Sequence, residues 1–266
     1  RFGPDWLILQ TRTVCRDQDD GDRLLAAGLH RLFVWLIAEG GGGQGCVEGV
    51  CCLLPAATGA TKGLQEAIDA AQSGDTIRLC TGTWNLTSTV VVGKNLRLIG
   101  AENYETVLDG GRAVRVLQVA AGVAGSLQDL KTMQGYGDQG GGGISNEGTL
   151  TPQQVSVTDN TTGQYGSGGG IANLGTLTLQ SGSSVSGNRA GGKGGGITNS
   201  NGIFLESGSR VTGNTASDGG GISNNHGYVD INAGAIICSN LPLTAQCVGG
   251  VNGTGTCPAP SQECPD

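Results

Sequence analysis

A phrase of the form Gly-Gly-Gly-Ile-x-Asn recurs four times in the second half of the chain, and it restricts the fold more than any other feature. Its isoleucines are Ile144, Ile171, Ile197 and Ile222, separated by 27, 26 and 25 residues. Asn146, Asn173, Asn199 and Asn224 follow two residues later with the same spacings. A second marker closes each unit: VTDN, VSGN, VTGN and ICSN end at Asn160, Asn188, Asn214 and Asn240. Two markers holding one phase over four copies define a repeat.

Between the markers the apolar residues alternate with period two, which signals strands. Leu177 and Leu179 flank Thr178, Ile203 and Leu205 flank Phe204, and Val229 and Ile231 flank Asp230. Alignment of the units gives four apolar columns: Ile144/Ile171/Ile197/Ile222, Leu150/Leu177/Ile203/Val229, Pro152/Leu179/Leu205/Ile231 and Val157/Val185/Val211/Ile237. A flat meander would need a separate partner sheet for every column. A coil in which each turn lies about 4.8 Å above the last stacks like on like and encloses all four. Asn suits the corners of such a coil because it tolerates left-handed backbone, and stacked Asn amides can bond along the axis. Gly182, Gly208 and Gly234 recur in phase and predict a bend.

Upstream, the runs Thr76–Leu79, Val90–Val92, Leu96–Ile99, Thr106–Leu108, Val114–Val119 and Ser126–Met133 read as less regular turns of the same coil. About six turns and a rod of about 30 Å are expected. Leu64, Ala67, Ile68 and Ala71 share one face of a helix over 62–72, ended by Ser73-Gly74 and placed to cover the first open rung. Residues 1–45 form an N-terminal extension. Its apolar part, near Leu24–Ala38, reads either as a secretory leader remnant or as an amphipathic segment packed on the domain end, and a Gly linker follows at Gly40–Gly43. The chain opens at Arg1 and is read as a fragment, a processed product or the product of an incompletely delimited gene. Residues 46–74 are the N-terminal cap, 75–240 the β-helix with regular repeats over 140–240, and 241–266 a Cys- and Pro-rich C-terminal cap.

Composition supports this coil. Of 266 residues 51 are Gly, yet no Gly-X-Y period exists, and aliphatics are too plentiful for disorder. A net charge of −7 argues against nucleic acid and anionic membranes as partners. No run is long enough to span a bilayer. Cys46, Cys51, Cys52, Cys80, Cys238, Cys247, Cys257 and Cys264 cluster toward the two ends and lack paired C-x-x-C zinc spacing. They read as disulfides of an oxidising compartment, hence a secreted or cell-surface protein. The sequons at Asn85, Asn160 and Asn252 are glycosylation candidates.

The stretch GDTIRLCTGTWN…VVGKNLRLIGAENYETVLDGG resembles the first turns of pectate-lyase-like β-helix proteins, over roughly Leu64 to Gly111. The GGGI and VxxN alternation is similar to the GGA[I/L/V] and FxxN repeats of chlamydial polymorphic outer-membrane proteins, with Val or Ile where that family prefers Phe. The expected fold is therefore all-β: a right-handed parallel β-helix (solenoid) with a short N-terminal capping helix and a Cys-rich C-terminal cap. The second resemblance implies a surface-exposed passenger used in adhesion or structure.

Sugar-cleaving β-helices need acidic groups converging on one face, with a base or Ca²⁺ beside them. Here Glu147, Asp159, Glu206, Asp218 and Asp230 lie at different phases of the repeat. Asp109, Arg112, Arg115, Asp129 and Lys131 are the catalytic candidates, with turn and surface charge as their plainer role. His226 reads as a solvated turn residue. No cofactor or metal is expected, Ca²⁺ entering only with a lyase. The expectation is a non-catalytic extracellular or cell-surface protein, adhesin-like or structural, with fibre formation as a further option. Its partners would be cell-surface or matrix components, glycans or copies of itself. The alternative is a lyase or hydrolase acting on acidic polysaccharide. Thr149/Thr176 and Thr151/Thr178 begin an ice-binding type of column, which Phe204 and Asp230 break.

Overall fold

The computed structural model describes residues 44–47, 50–53, 60–242 and 247–248. Residues 1–43, with the apolar segment near Leu24–Ala38 and the Gly linker, and Cys257, Cys264, Asn252 and most of the C-terminal cap lie outside the described residues. Cys46, Cys51 and Cys247 are placed only as strand backbone.

The chain winds into a parallel β-solenoid of about six turns. Among the described residues, one sheet stacks seven short strands in parallel. Its central column runs Val90, Leu117, Ile144, Ile171, Ile197, Ile222 and Cys247, each directly opposite the next. A twelve-stranded sheet forms two further strips of the wall side by side, and a short ladder through Tyr136, Thr161, Arg189, Thr215 and Leu241 runs beyond them. The first strip stacks Ile77, Leu98 and Leu127, and further along Leu179, Leu205 and Ile231. Pro152 keeps this register, its carbonyl accepting from the Gln180 N–H at 2.9 Å. The second strip stacks Trp84, Leu108, Thr132, Val157, Val185, Val211 and Ile237. The ten-residue strands Ala124–Met133 and Thr149–Thr158 run through both strips, whereas the other rungs break between them.

A bend joins the two strips at a fixed phase. Asp129, Gln154, Gly182, Gly208 and Gly234 occupy it, with φ of 52°, 50°, 77°, 82° and 91°. Glycine is the low-strain choice for this left-handed backbone. Two early rungs nevertheless accept side chains there, which is why a glycine column begins only at Gly182.

The interior is aliphatic. Ile144, Ile171, Ile197 and Ile222 are all fully buried, at roughly 1.5–3 kcal/mol each. At two corners the filling is amide. Asn146 Nδ2 donates to Asn173 Oδ1 at 2.7 Å, Asn173 to Asn199 at 2.7 Å and Asn199 to Asn224 at 2.8 Å. In the second ladder Asn160, Asn188 and Asn214 each donate both backbone N–H and Nδ2 to the Oδ1 of the next Asn. Spare Nδ2 protons go to the carbonyls of Val157, Val185 and Val211 at 2.9 Å. Apart from Asn146 Oδ1, which heads its ladder without a partner, these buried amides are satisfied by their own repeats.

The helix spans Ala60–Ala70, two residues earlier than expected, and buries Leu64 and Ile68 against the first rung. Gln65 replaces a missing neighbouring strand. Its Oε1 accepts the Val91 N–H at 2.8 Å and its Nε2 donates to the Val91 carbonyl at 3.0 Å. Lys94 Nζ donates to the carbonyls of Asp69 and Ala71, which the helix end leaves unpaired. Beside it, Leu53 bridges Leu79, and the Cys52–Cys80 disulfide fixes this edge.

Candidate functional site

The five catalytic candidates do not converge on one point. Lys131 lies between Val107 and Ser156 in register, with Leu130 and Thr132 buried on either side, so its side chain leaves the outer face of the second strip. Asp109 sits opposite Met133 on the same outer face, one rung earlier. Strand geometry puts such diagonal neighbours roughly 7 Å apart. They form no ion pair; among the described residues only Lys62–Glu66 and Lys193–Asp218 do. Asp109 Oδ1 instead accepts the Gly111 N–H at 2.8 Å, which shapes the turn that follows, and Arg112 stands exposed in that turn at φ 58°.

Asp129 is nearly buried in the bend between the strips, where its Oδ2 accepts from Gln128 Nε2 at 2.8 Å. Arg97 donates in turn to Gln128 Oε1. The loop 101–105 lies over this bend, and Tyr104 Oη donates to the Gly182 carbonyl at 2.6 Å. Burial, with a smaller push from the Asp129 charge, raises the Tyr104 phenol above its ordinary value. Nothing in the sequence signalled this bracing, because Tyr104 and Gly182 are 78 residues apart.

Arg115 faces another corner. Its Nε and Nη2 donate at 2.9 Å to the carbonyls of Gly141 and Gly140, at the head of the first Gly-Gly-Gly segment. Desolvation lowers its affinity for the proton and Glu147 partly restores it. Through these two bonds Arg115 anchors the start of the regular repeat. His226 is exposed in the turn before Tyr228.

Asn160 is 1% exposed and bonded on both sides within its ladder, so the folded chain offers no acceptor amide there. Asn85 ends its strand exposed to solvent. Cys238 is disulfide-bonded as well as Cys52 and Cys80. Among the described residues no three His, Cys, Asp or Glu side chains are grouped as a metal site would need, and no helix is long and apolar enough to cross a membrane.

Neither a protein-family model, nor a curated protein, nor a solved structure matches this chain. What the geometry offers is a set of long outer faces. The outer face of the first strip carries Ser126, Thr151 and Thr178 in one column, and Gln128, Gln153 and Gln180 in the next.

Proposed function

We propose that this chain is a non-catalytic extracellular β-helix, adhesin-like or structural, with a right-handed coil of the pectate-lyase-like kind and repeats akin to those of polymorphic outer-membrane proteins. The observation that carries the reading is how the charged candidates are used. Arg115 is spent on two backbone carbonyls, Asp109 on a turn N–H, and Asp129 on Gln128 beneath a loop. Groups engaged in holding backbone are poorly placed to exchange protons with a substrate. The internal ladders supply rigidity instead, which suits a spacer or a display surface. The disulfides favour an oxidising compartment.

Lyase chemistry has one observation in its favour: Asp109 and Lys131 emerge on the same outer face in adjacent rungs. The test is incubation of the purified chain with polygalacturonate, with and without Ca²⁺. Ultraviolet absorbance of unsaturated product and release of reducing ends are followed together. The non-catalytic reading expects neither signal. Turnover abolished by Lys131→Ala or Asp129→Asn would replace it with the lyase or hydrolase reading.

A further inference from the structure

We propose that the outer face of the last two rungs of the first strip is a docking site for an arginine-bearing basic peptide on a partner protein. The inference deepens the adhesin-like reading by naming a partner chemistry. It begins with departures from the repeat. In the outward columns of this strip the upstream rungs carry hydroxyls and amides: Thr149 and Thr176, then Thr151 and Thr178, then Gln153 and Gln180. The last two rungs place Gly202 and Tyr228, Phe204 and Asp230, and Glu206 and Asn232 at the same positions. The inward columns continue undisturbed through Ile203, Leu205, Val229 and Ile231. Core requirements therefore do not explain the change.

The new side chains form one patch. Phe204 and Asp230 are directly opposite, and Glu206 and Tyr228 flank them on the same face. The Phe204 and Tyr228 rings meet edge to face, with centroids 5.3 Å apart and planes at 72°. Tyr228 is 40% exposed in a protein with few aromatic residues. Its ring crosses the rung below, where a Cβ on Gly202 would lie 2.6 Å from the phenol oxygen. Gly202 thus replaces the threonine of earlier rungs where the ring needs room.

Neither Glu206 nor Asp230 has a cation within ion-pair distance among the described residues. Two carboxylates with no ion-pair partner beside one exposed and one half-buried ring, on a patch about 5 Å wide and about 13 Å along the strands, match a planar guanidinium carried on an extended peptide. Such a group stacks on an aromatic face while its edge donates to a carboxylate. The chain's net charge of −7 adds attraction for a basic partner.

The test titrates the full chain with acetylated, amidated hexa-arginine at low salt while backbone amide resonances are recorded. Resonances of 202–206 and 228–232 should move. Phe204→Thr and Glu206→Gln restore residue types that the strip carries one rung earlier, so they keep the fold, and each should weaken binding about tenfold. Glu105→Gln, an equal charge change on an exposed loop, should leave it unaltered. Hexa-lysine should bind more weakly, lacking the planar group. The proposal is overturned by no binding, by shifts centred elsewhere, by hexa-lysine binding as tightly, or by Glu105→Gln weakening binding as much as Glu206→Gln. A failed titration leaves the polygalacturonate result as it stands, so the two readings fail separately.

Discussion

Replacing one ladder asparagine by valine should cost different amounts at two neighbouring positions. Valine already fills this column in the early rungs, at Val92 and Val119, so its shape suits the site. Asn173 is interior to the ladder. It accepts from Asn146 Nδ2 and donates to Asn199 Oδ1 and to the carbonyls of Gly202 and Gly175, at 2.7–3.0 Å. At about 1 kcal/mol net per bond, Asn173→Val should cost about 4 kcal/mol. Asn146 heads the ladder. It donates to Asn173 Oδ1 and to the Thr176 carbonyl, but its own buried Oδ1 has no partner because Val119 lies above it. Asn146→Val forfeits two bonds, about 2 kcal/mol, and only moves the unpartnered acceptor one rung along, from Asn146 Oδ1 to the buried Asn173 Oδ1. The net change should be about 2 kcal/mol, half of that at Asn173. Urea unfolding of both variants measures the difference, with amide hydrogen exchange checking that both halves unfold together. Equal losses, or a larger loss at Asn146, would refute the view that the ladder is satisfied only from its second member onward.

Gly175→Ala places a Cβ 1.9 Å from the Gly148 carbonyl oxygen and should abolish cooperative melting, whereas Gly213→Asn, at φ 65° with nothing nearer than 3.8 Å, should change stability by about 1 kcal/mol or less. Folding raises the Tyr104 phenol pKa, so its contribution is complete below the unfolded value of 10.0 and is lost as pH rises through the folded one. Thermal melts at alkaline pH should therefore fall more steeply for the native chain than for Tyr104→Phe, and parallel profiles would count against it. Removing the Cys52–Cys80 bridge, which spans 28 residues, should cost about 4 kcal/mol by loop closure, read as a loss of melting temperature in the Cys52→Ser/Cys80→Ser variant.

The regular half of this coil was legible because identical residues recur at nearly constant spacing and fall into register as read. The columns of Ile144, Leu150 and Val157 show this. The early half was legible as strands but not as stacking. Ile77 pairs with Leu98 after 21 residues and Leu98 with Leu127 after 29, because the second rung is longer at every corner: at the loop 101–105, in the turn after Asp109 and between Leu117 and Leu127. The strand Gly82–Asn85 escaped notice because Trp84 is its one large apolar residue and no alternation surrounds it. Leu117 and Val90 extend the isoleucine column without its flanking glycines or asparagine. The candidate residues were less legible still. Whether Asp109, Arg115 and Asp129 meet depends on which residues turn the corners, and Asp129 itself adopts left-handed backbone where later rungs use glycine. The change to Phe204 and Asp230 was visible as an interruption of a threonine column, but its partners Glu206, Tyr228 and Gly202 needed the register.

The Gln65 amide has a consequence for what the molecule does in company. A coil of stacked turns has no intrinsic reason to stop, since each turn exposes the same hydrogen-bonding groups that the next would use. Here one side chain, fixed on a helix, occupies the amide and carbonyl of Val91 that an incoming strand would seek. At this end a side chain thus shares with the helix and the Leu53 bridge the work of closing the rod. Exchanging it for leucine would leave the helix its apolar face but release one amide and one carbonyl at the rod's edge to outside partners.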